Sequence, residues 1–235
     1  MIEKKIHYIW FGSNPLPPLA KKCIESWKKF CPDYEIVEWN ETNFDVNQNI
    51  YTKEAYENKK WAFVSDYVRL YALYHHGGIY MDTDVEVLKN LDDYLNHDAF
   101  SGFESSNAIP TGIIGAKKGN YHIKQLLDEY NDRHFILPNG EMDLTTNVTT
   151  ITNYFKEKNI ILNNQYQNCD GFVFYPSEYF CPKDYKTGKI NLTDRSVTIH
   201  HFSGSWIPKS QKIKYKIINK LDKRFVKFLI NIKRK

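Results

Sequence analysis

The 235-residue sequence lacks most of the signals that fix a function on sight. It has no G-x-G-x-x-G and no Walker loop, so no glycine-rich turn is available to hold phosphate by backbone amides alone. Its four cysteines, Cys23, Cys31, Cys169 and Cys181, form no C-x-x-C pair and no metal-ligand rhythm, and they read as ordinary reduced thiols. No segment carries 18 uninterrupted apolar residues, so no transmembrane helix is expected. Met1 to Lys5 lead straight into a strand-like run without the apolar stretch of a signal peptide, which makes the cytoplasm the expected compartment. The N-x-[ST] triplets at Asn40, Asn147 and Asn191 are accordingly read as chance in an Asn-rich chain. Internal repeats and low-complexity linkers are absent.

What is present is enough for a core: 42% of residues are hydrophobic and 15% aromatic, in a length that fits one α/β domain. The net charge of +4 hides an asymmetry. From Pro208 to Lys235, eleven Lys or Arg stand against the single Asp222, so residues 1–207 carry about −6. In the tail, Ile218, Leu221, Phe225, Phe228 and Ile232 follow helical spacing, and Lys216, Lys220, Lys223, Arg224 and Lys227 occupy much of the remainder. That pattern predicts a basic amphipathic helix over residues 208–235, lying on an anionic membrane surface, appended to a domain over residues 1–207. Nucleic acid is not an expected partner, because the body is acidic and no recognised binding motif is present.

Along the chain, strand-like segments at Lys5–Trp10, Tyr34–Trp39, Val85–Leu88, Phe100–Phe103, Ile113–Ala116, Ile160–Leu162, Gly171–Tyr175 and Ser196–His201 alternate with predicted helices. Those helices are Leu19–Phe30, a short one near Lys53–Asn58, Lys60–His76, Asn120–Arg133 and Leu144–Lys158. A turn is expected at Pro110-Thr111-Gly112. Lys60–His76 is apolar on nearly every face, so it should be buried, and its Asp66 and Arg69, three apart, must pair or face a polar cleft. Gly77-Gly78 ends that helix. The short strand that follows delivers Asp82 and Asp84, and a period of two places both carboxylates on one side of the chain end. Hard oxygen ligands at that spacing suit Mg²⁺ or Mn²⁺, and a metal with open positions suits a nucleotide diphosphate. The late His200 and His201 would point to opposite faces of a strand, so at most one serves a site.

Ile6-His7-Tyr8-Ile9-Trp10-Phe11-Gly12, then Ala62 to Arg69 followed by Gly77 to Asp84, and finally His200-His201 with Ser205-Trp206 resemble glycosyltransferase family 32, the group with the sugar-binding region containing the DXD motif. The pattern is similar to the glucosyltransferase domains of large clostridial toxins. The resemblance implies a single GT-A-type α/β domain with a mixed, mainly parallel sheet flanked by helices. It also implies a nucleotide-sugar donor, Mn²⁺ or Mg²⁺, and retention of anomeric configuration. Carried onto this chain, Trp10 would stack on the donor base and Asp66 and Arg69 would bind the donor sugar. Asp82 would contact ribose or metal-bound water, and Asp84 would ligate the metal. Ser205 and Trp206 would close over the diphosphate. The expected metal set is Asp82, Asp84, His201 and Ser205, with either histidine able to be the one that reaches the ion. The chain departs from the family at Thr145-Thr146-Asn147, where many members have Thr-Gly-Pro.

The expected activity is transfer of a hexose, from UDP-galactose or UDP-glucose, to a glycan or lipid-linked oligosaccharide in surface or capsular polysaccharide synthesis, at the inner face of the cell membrane. A D-x-D-x-[TV] phosphohydrolase is disfavoured because Glu86 stands where Thr or Val belongs. The competing class is a non-catalytic, membrane-associated nucleotide-sugar-binding protein.

Overall fold

The computed structural model describes residues 1–105, 107–109 and 112–204. In chain order the elements are β1 (Lys5–Ile9), α1 (Pro18–Phe30), β2 (Glu35–Trp39), α2 (Ile50–Glu57), α3 (Trp61–His76), β3 (Gly78–Met81), β4 (Val85–Val87), β5 (Ala99–Gly102), β6 (Ile113–Ala116), α4 (Tyr121–Asp128), α5 (Asn147–Glu157), β7 (Gln167–Cys169), β8 (Phe172–Tyr175), α6 (Ser177–Phe180) and β9 (Thr198–His200). Seven strands form one sheet in the order β2-β1-β3-β6-β5-β8-β7, while β4 and β9 form a separate two-stranded ribbon. In the large sheet β6 and β7 run against the other five strands, so it is mixed and mainly parallel.

Strand alternation sends side chains into two cores. Ile79 and Met81 of β3 join Trp27 of α1, Val85 and Phe180 on one face. Tyr80 joins the face covered by α3, with Val64, Val68, Tyr130 and Phe155. Helix α1 begins on Pro18, whose missing amide hydrogen costs nothing in the first turn. Helix α3 ends at Gly77, which takes a φ of 66° and donates its amide to Leu73 at 2.9 Å. Gly78 cannot be enlarged cheaply, because a Cβ there would lie 2.8 Å from the Lys5 carbonyl.

Differences from the expected elements have local causes. Helix α4 stops at Asp128, well before Arg133. Helix α5 starts only at Asn147, where Thr146 caps it by accepting from the Thr149 amide. Ile160–Leu162 is not a strand: Ile161 is 65% exposed, and its amide and carbonyl are both bonded by the Gln167 side chain. The edge strand is instead β7, paired to β8. The predicted tail helix at 208–235, Ser205, Trp206 and two residues of the expected 110–112 turn lie outside the described residues. Among the described residues no helix is long and apolar enough to cross a membrane.

Candidate functional site

The C-terminal ends of β1 and β3 open into a cleft of about 1160 Å³, bounded by the first half of α3, the start of α5 and the chain from His200 to Gly204. Outside the strand ends is where open α/β sheets gather ligands.

Asp66 and Arg69 lie one turn apart on α3, and both are buried. Arg69 Nη2 is 2.9 Å from Asp66 Oδ1, and Asp66 Oδ2 accepts from the Asn147 amide at 3.0 Å. Burial pushes the Asp66 carboxyl up, and Arg69 and the Asn147 amide pull it back only part of the way, to about 6. Arg69 reaches past this pair: Nη1 is 3.7 Å from Asp82 Oδ1, and its guanidinium lies over the Tyr80 ring, 4.5 Å from the centroid. Tyr80 donates its hydroxyl to Asp82 Oδ1. Because Tyr80 and Asp82 are two apart at a strand end, they share the α3 side of the sheet.

Asp84 is more enclosed than Asp82, with side chains 13% and 24% exposed. Its Oδ2 accepts from the Ser203 amide at 2.6 Å and its Oδ1 is 3.3 Å from His200 Nε2; Asp82 Oδ2 is 3.7 Å from the same nitrogen. Burial opposes charge on Asp84, but His200 and Ser203 outweigh it and hold the carboxyl well below the usual range. His200 shows the reverse balance: burial alone would lower it, yet Asp84, Cys181 and Asp82 raise it well above an ordinary imidazole. A field that holds a proton there also attracts a cation. One oxygen from each carboxylate and one His200 nitrogen lie within 4.8 Å of one another, a donor set that fits a divalent ion.

The structure therefore puts His200, and not His201, beside the aspartates. In the β4–β9 ribbon His200 pairs with Val85, and the strand's alternation turns His201 the other way. The His201 imidazole is 2.8 Å from Glu86 Oε2, while its amide donates to the Asp84 carbonyl at 2.9 Å. Trp10 lines the cleft with its indole nitrogen donating to the Asn14 carbonyl at 2.5 Å. Beside it, Gly12 admits the Trp61 indole, since a Cβ there would sit 2.7 Å from the ring. Ser205 and Trp206 are outside the described residues, but the stretch leading to them passes along Asp84.

Tyr80, Asn147 and Glu104 join Ser203 as contributors that were not among the residues expected at the site. Tyr80 was visible in principle, two positions before Asp82. Asn147 supplies an amide to Asp66 that a proline at this place, as in the family's Thr-Gly-Pro, would lack. Glu104, after β5, also lines the cleft; burial pushes its carboxyl up, with His200 partly opposing and Asp82 reinforcing the shift.

Residues 17–101, which hold Asp66, Arg69, Asp82 and Asp84, match the family described as "Glycosyltransferase sugar-binding region containing DXD motif". Inositol phosphoceramide mannosyltransferase 3 of Schizosaccharomyces pombe is 30% identical over 138 residues, covering 54% of this chain and 36% of the relative. An uncharacterized glycosyltransferase of Acanthamoeba polyphaga mimivirus is 29% identical over 146 residues, covering 56% of this chain and 58% of the relative. The chain thus spans between a quarter and three-fifths of the length of the curated relatives it matches. Among solved structures, the apo glycosyltransferase GlyE of Streptococcus pneumoniae TIGR4 superimposes with a TM-score of 0.53 at 12% identity, over 94% of this chain and 61% of that one. A glycosyltransferase involved in glycosylating the PBCV-1 major capsid gives 0.52 at 12% identity, over 92% and 99%. The likenesses to these two structures establish the GT-A-type fold, and residues 17–101 are similar to the glycosyltransferase sugar-binding region that contains the DXD motif.

Proposed function

We propose that the protein transfers a hexose from a nucleoside-diphosphate sugar to a glycan or lipid-linked acceptor, with a divalent cation held by Asp82, Asp84 and His200. The observation that carries this reading is the convergence of those three donors beside the buried Asp66–Arg69 pair in one cleft. Two carboxylates suit Mn²⁺ and Mg²⁺ alike, and the imidazole nitrogen favours Mn²⁺. When bound, the ion would stabilise negative charge on the departing diphosphate as a Lewis acid.

The chain's own residues supply orientation. Arg69, held by Asp66, Asp82 and the Tyr80 face, offers donors that cannot swing away, so a sugar or phosphate oxygen meets a preorganised positive charge. Asp66 accepts from sugar hydroxyls once ionised. Trp10 and Trp61 offer flat apolar surface for the nucleotide base. Glu104 is a further carboxyl for the acceptor hydroxyl, since it is not a member of the Asp82–Asp84–His200 cluster.

UDP-galactose and UDP-glucose head the donor panel, and the mannosyl transfer named for the S. pombe relative adds a mannose donor. The basic segment 208–235 supports an acceptor at the inner face of the membrane, such as a lipid-linked oligosaccharide in surface polysaccharide synthesis. Incubation with Mn²⁺ and each nucleotide sugar should release free nucleoside diphosphate from one or two donors, and EDTA should abolish the release. Binding of a donor without hydrolysis or transfer would favour the non-catalytic nucleotide-sugar-binding protein instead. Removing residues 208–235 should abolish sedimentation with anionic vesicles while sparing donor hydrolysis.

A further inference from the structure

We propose a second cation site, for Zn²⁺, built by His122, Cys169 and Asp170 at the β7 edge of the sheet. A ring nitrogen of His122, Cys169 Sγ and an Asp170 carboxylate oxygen all lie within 4.8 Å of one another. Imidazole, thiolate and carboxylate together are a zinc donor set, and three protein ligands leave one position for water.

An independent observation points into the cluster. His122 is 1% exposed, and its Nε2 is buried without a hydrogen-bond partner. The Cys169 and Asp170 backbones act on the ring electrostatically and favour its protonated form, yet no atom meets Nε2 at hydrogen-bonding distance and angle. Nδ1 is 3.0 Å from the Tyr154 hydroxyl. If Nδ1 carries the proton and donates to Tyr154, Nε2 presents a lone pair, the arrangement in which a second-shell partner orients a metal-binding histidine. The ring is walled by Phe155 and Phe172, with centroids at 5.3 and 6.1 Å, so it has little freedom to turn elsewhere.

The other two donors come from a hairpin. Cys169 pairs with Phe172 across β7–β8, and the intervening Asp170 and Gly171 have φ of 46° and 88°, as a two-residue Asp-Gly turn requires. Cys169 is 7% exposed and Asp170 is exposed, which gives the site a closed sulfur side and an open carboxylate side through which an ion can enter. Lys158 opposes a cation here, although its ammonium lies over the Tyr154 ring, 4.8 Å from the centroid.

The test is Co²⁺ titration of the full chain with its thiols kept reduced. Wild type should show one thiolate-to-cobalt charge-transfer band, displaced by Zn²⁺. Cys169→Ser should abolish the band. Asp170→Asn, which retains a residue tolerant of positive φ on an exposed turn, should weaken binding tenfold or more. Asp84→Asn should leave the band in place. Zn²⁺ should raise the melting temperature of wild type and not of Cys169→Ser. No band in wild type, a band unchanged by Cys169→Ser or Asp170→Asn, or a band lost only with Asp84→Asn would overturn the site; the first would mean that Nε2 faces a buried water.

Discussion

The two sides of the cleft are assembled in different ways. Trp10, Asp66, Arg69, Tyr80, Asp82 and Asp84 come from one stretch of fewer than eighty residues, in which α3 runs directly into β3 and β3 pairs with β1. Glu104, Asn147, His200 and Ser203 come from far apart in the chain and reach the same cleft only through the closing of α5 and the β4–β9 ribbon. The first side supplies the fixed charges. The second tunes them: the Asn147 amide adds to Arg69 in lowering Asp66, and His200 with Ser203 lowers Asp84, in each case against burial. The difference teaches that a sequence motif can name the ionised groups while some of the groups that set their ionisation lie elsewhere.

Variants can break or sharpen that contrast. Asp84→Asn removes a carboxylate bound by both sides and should cut nucleoside-diphosphate release by roughly 10²-fold or more, the scale of losing one preorganised electrostatic contact. Near-normal turnover at limiting Mn²⁺ would break the assignment. Arg69→Met removes the cation shared by Asp66 and Asp82 and should cost about 3 kcal/mol of stability, read as a lower urea midpoint, because buried carboxylates lose their partner.

The second side is tested through pH. Asp66 titrates near 6, so as pH falls through that value the carboxylate takes a proton and kcat/KM should fall with it. Asn147→Pro fits the first helical position, since Thr146 is already extended with ψ of 157°, but it deletes the amide that favours ionised Asp66. The acid limb should therefore move to higher pH; an unmoved limb would show that the amide does not tune Asp66. Glu104→Gln should lower transfer to an acceptor several-fold while donor hydrolysis changes less. His201→Ala should have the smallest effect, within about twofold, because its ring meets Glu86 outside the aspartate cluster; a loss comparable with that of His200→Ala would reverse the choice between the two histidines.

Much of the first side was legible. Buried charges on an all-apolar helix have to pair, and Asp66 with Arg69 does. Gly77-Gly78 ended α3 where expected, and a two-residue period carried Asp82 and Asp84 to one strand end. The choice between His200 and His201 was not legible, because it depends on the register of β9 against β4, and a shift of one residue would exchange them. The missing strand at Ile160–Leu162 failed for a similar reason: an apolar run there had no partner edge, and the Gln167 side chain took its backbone bonds. The cysteines likewise show no metal spacing in sequence, yet Cys169 lies beside His122 across the fold.

By itself, then, the sequence determined the alternation of elements, the buried Asp66–Arg69 pair and the Asp82–Asp84 end, because helix and strand periodicities and the cost of burying an unpaired charge act over a few residues. Only the tertiary structure decided which histidine joins the aspartates, which amide steadies Asp66 and which polar atoms meet at His122, because those outcomes depend on pairing register and packing between segments distant in the chain.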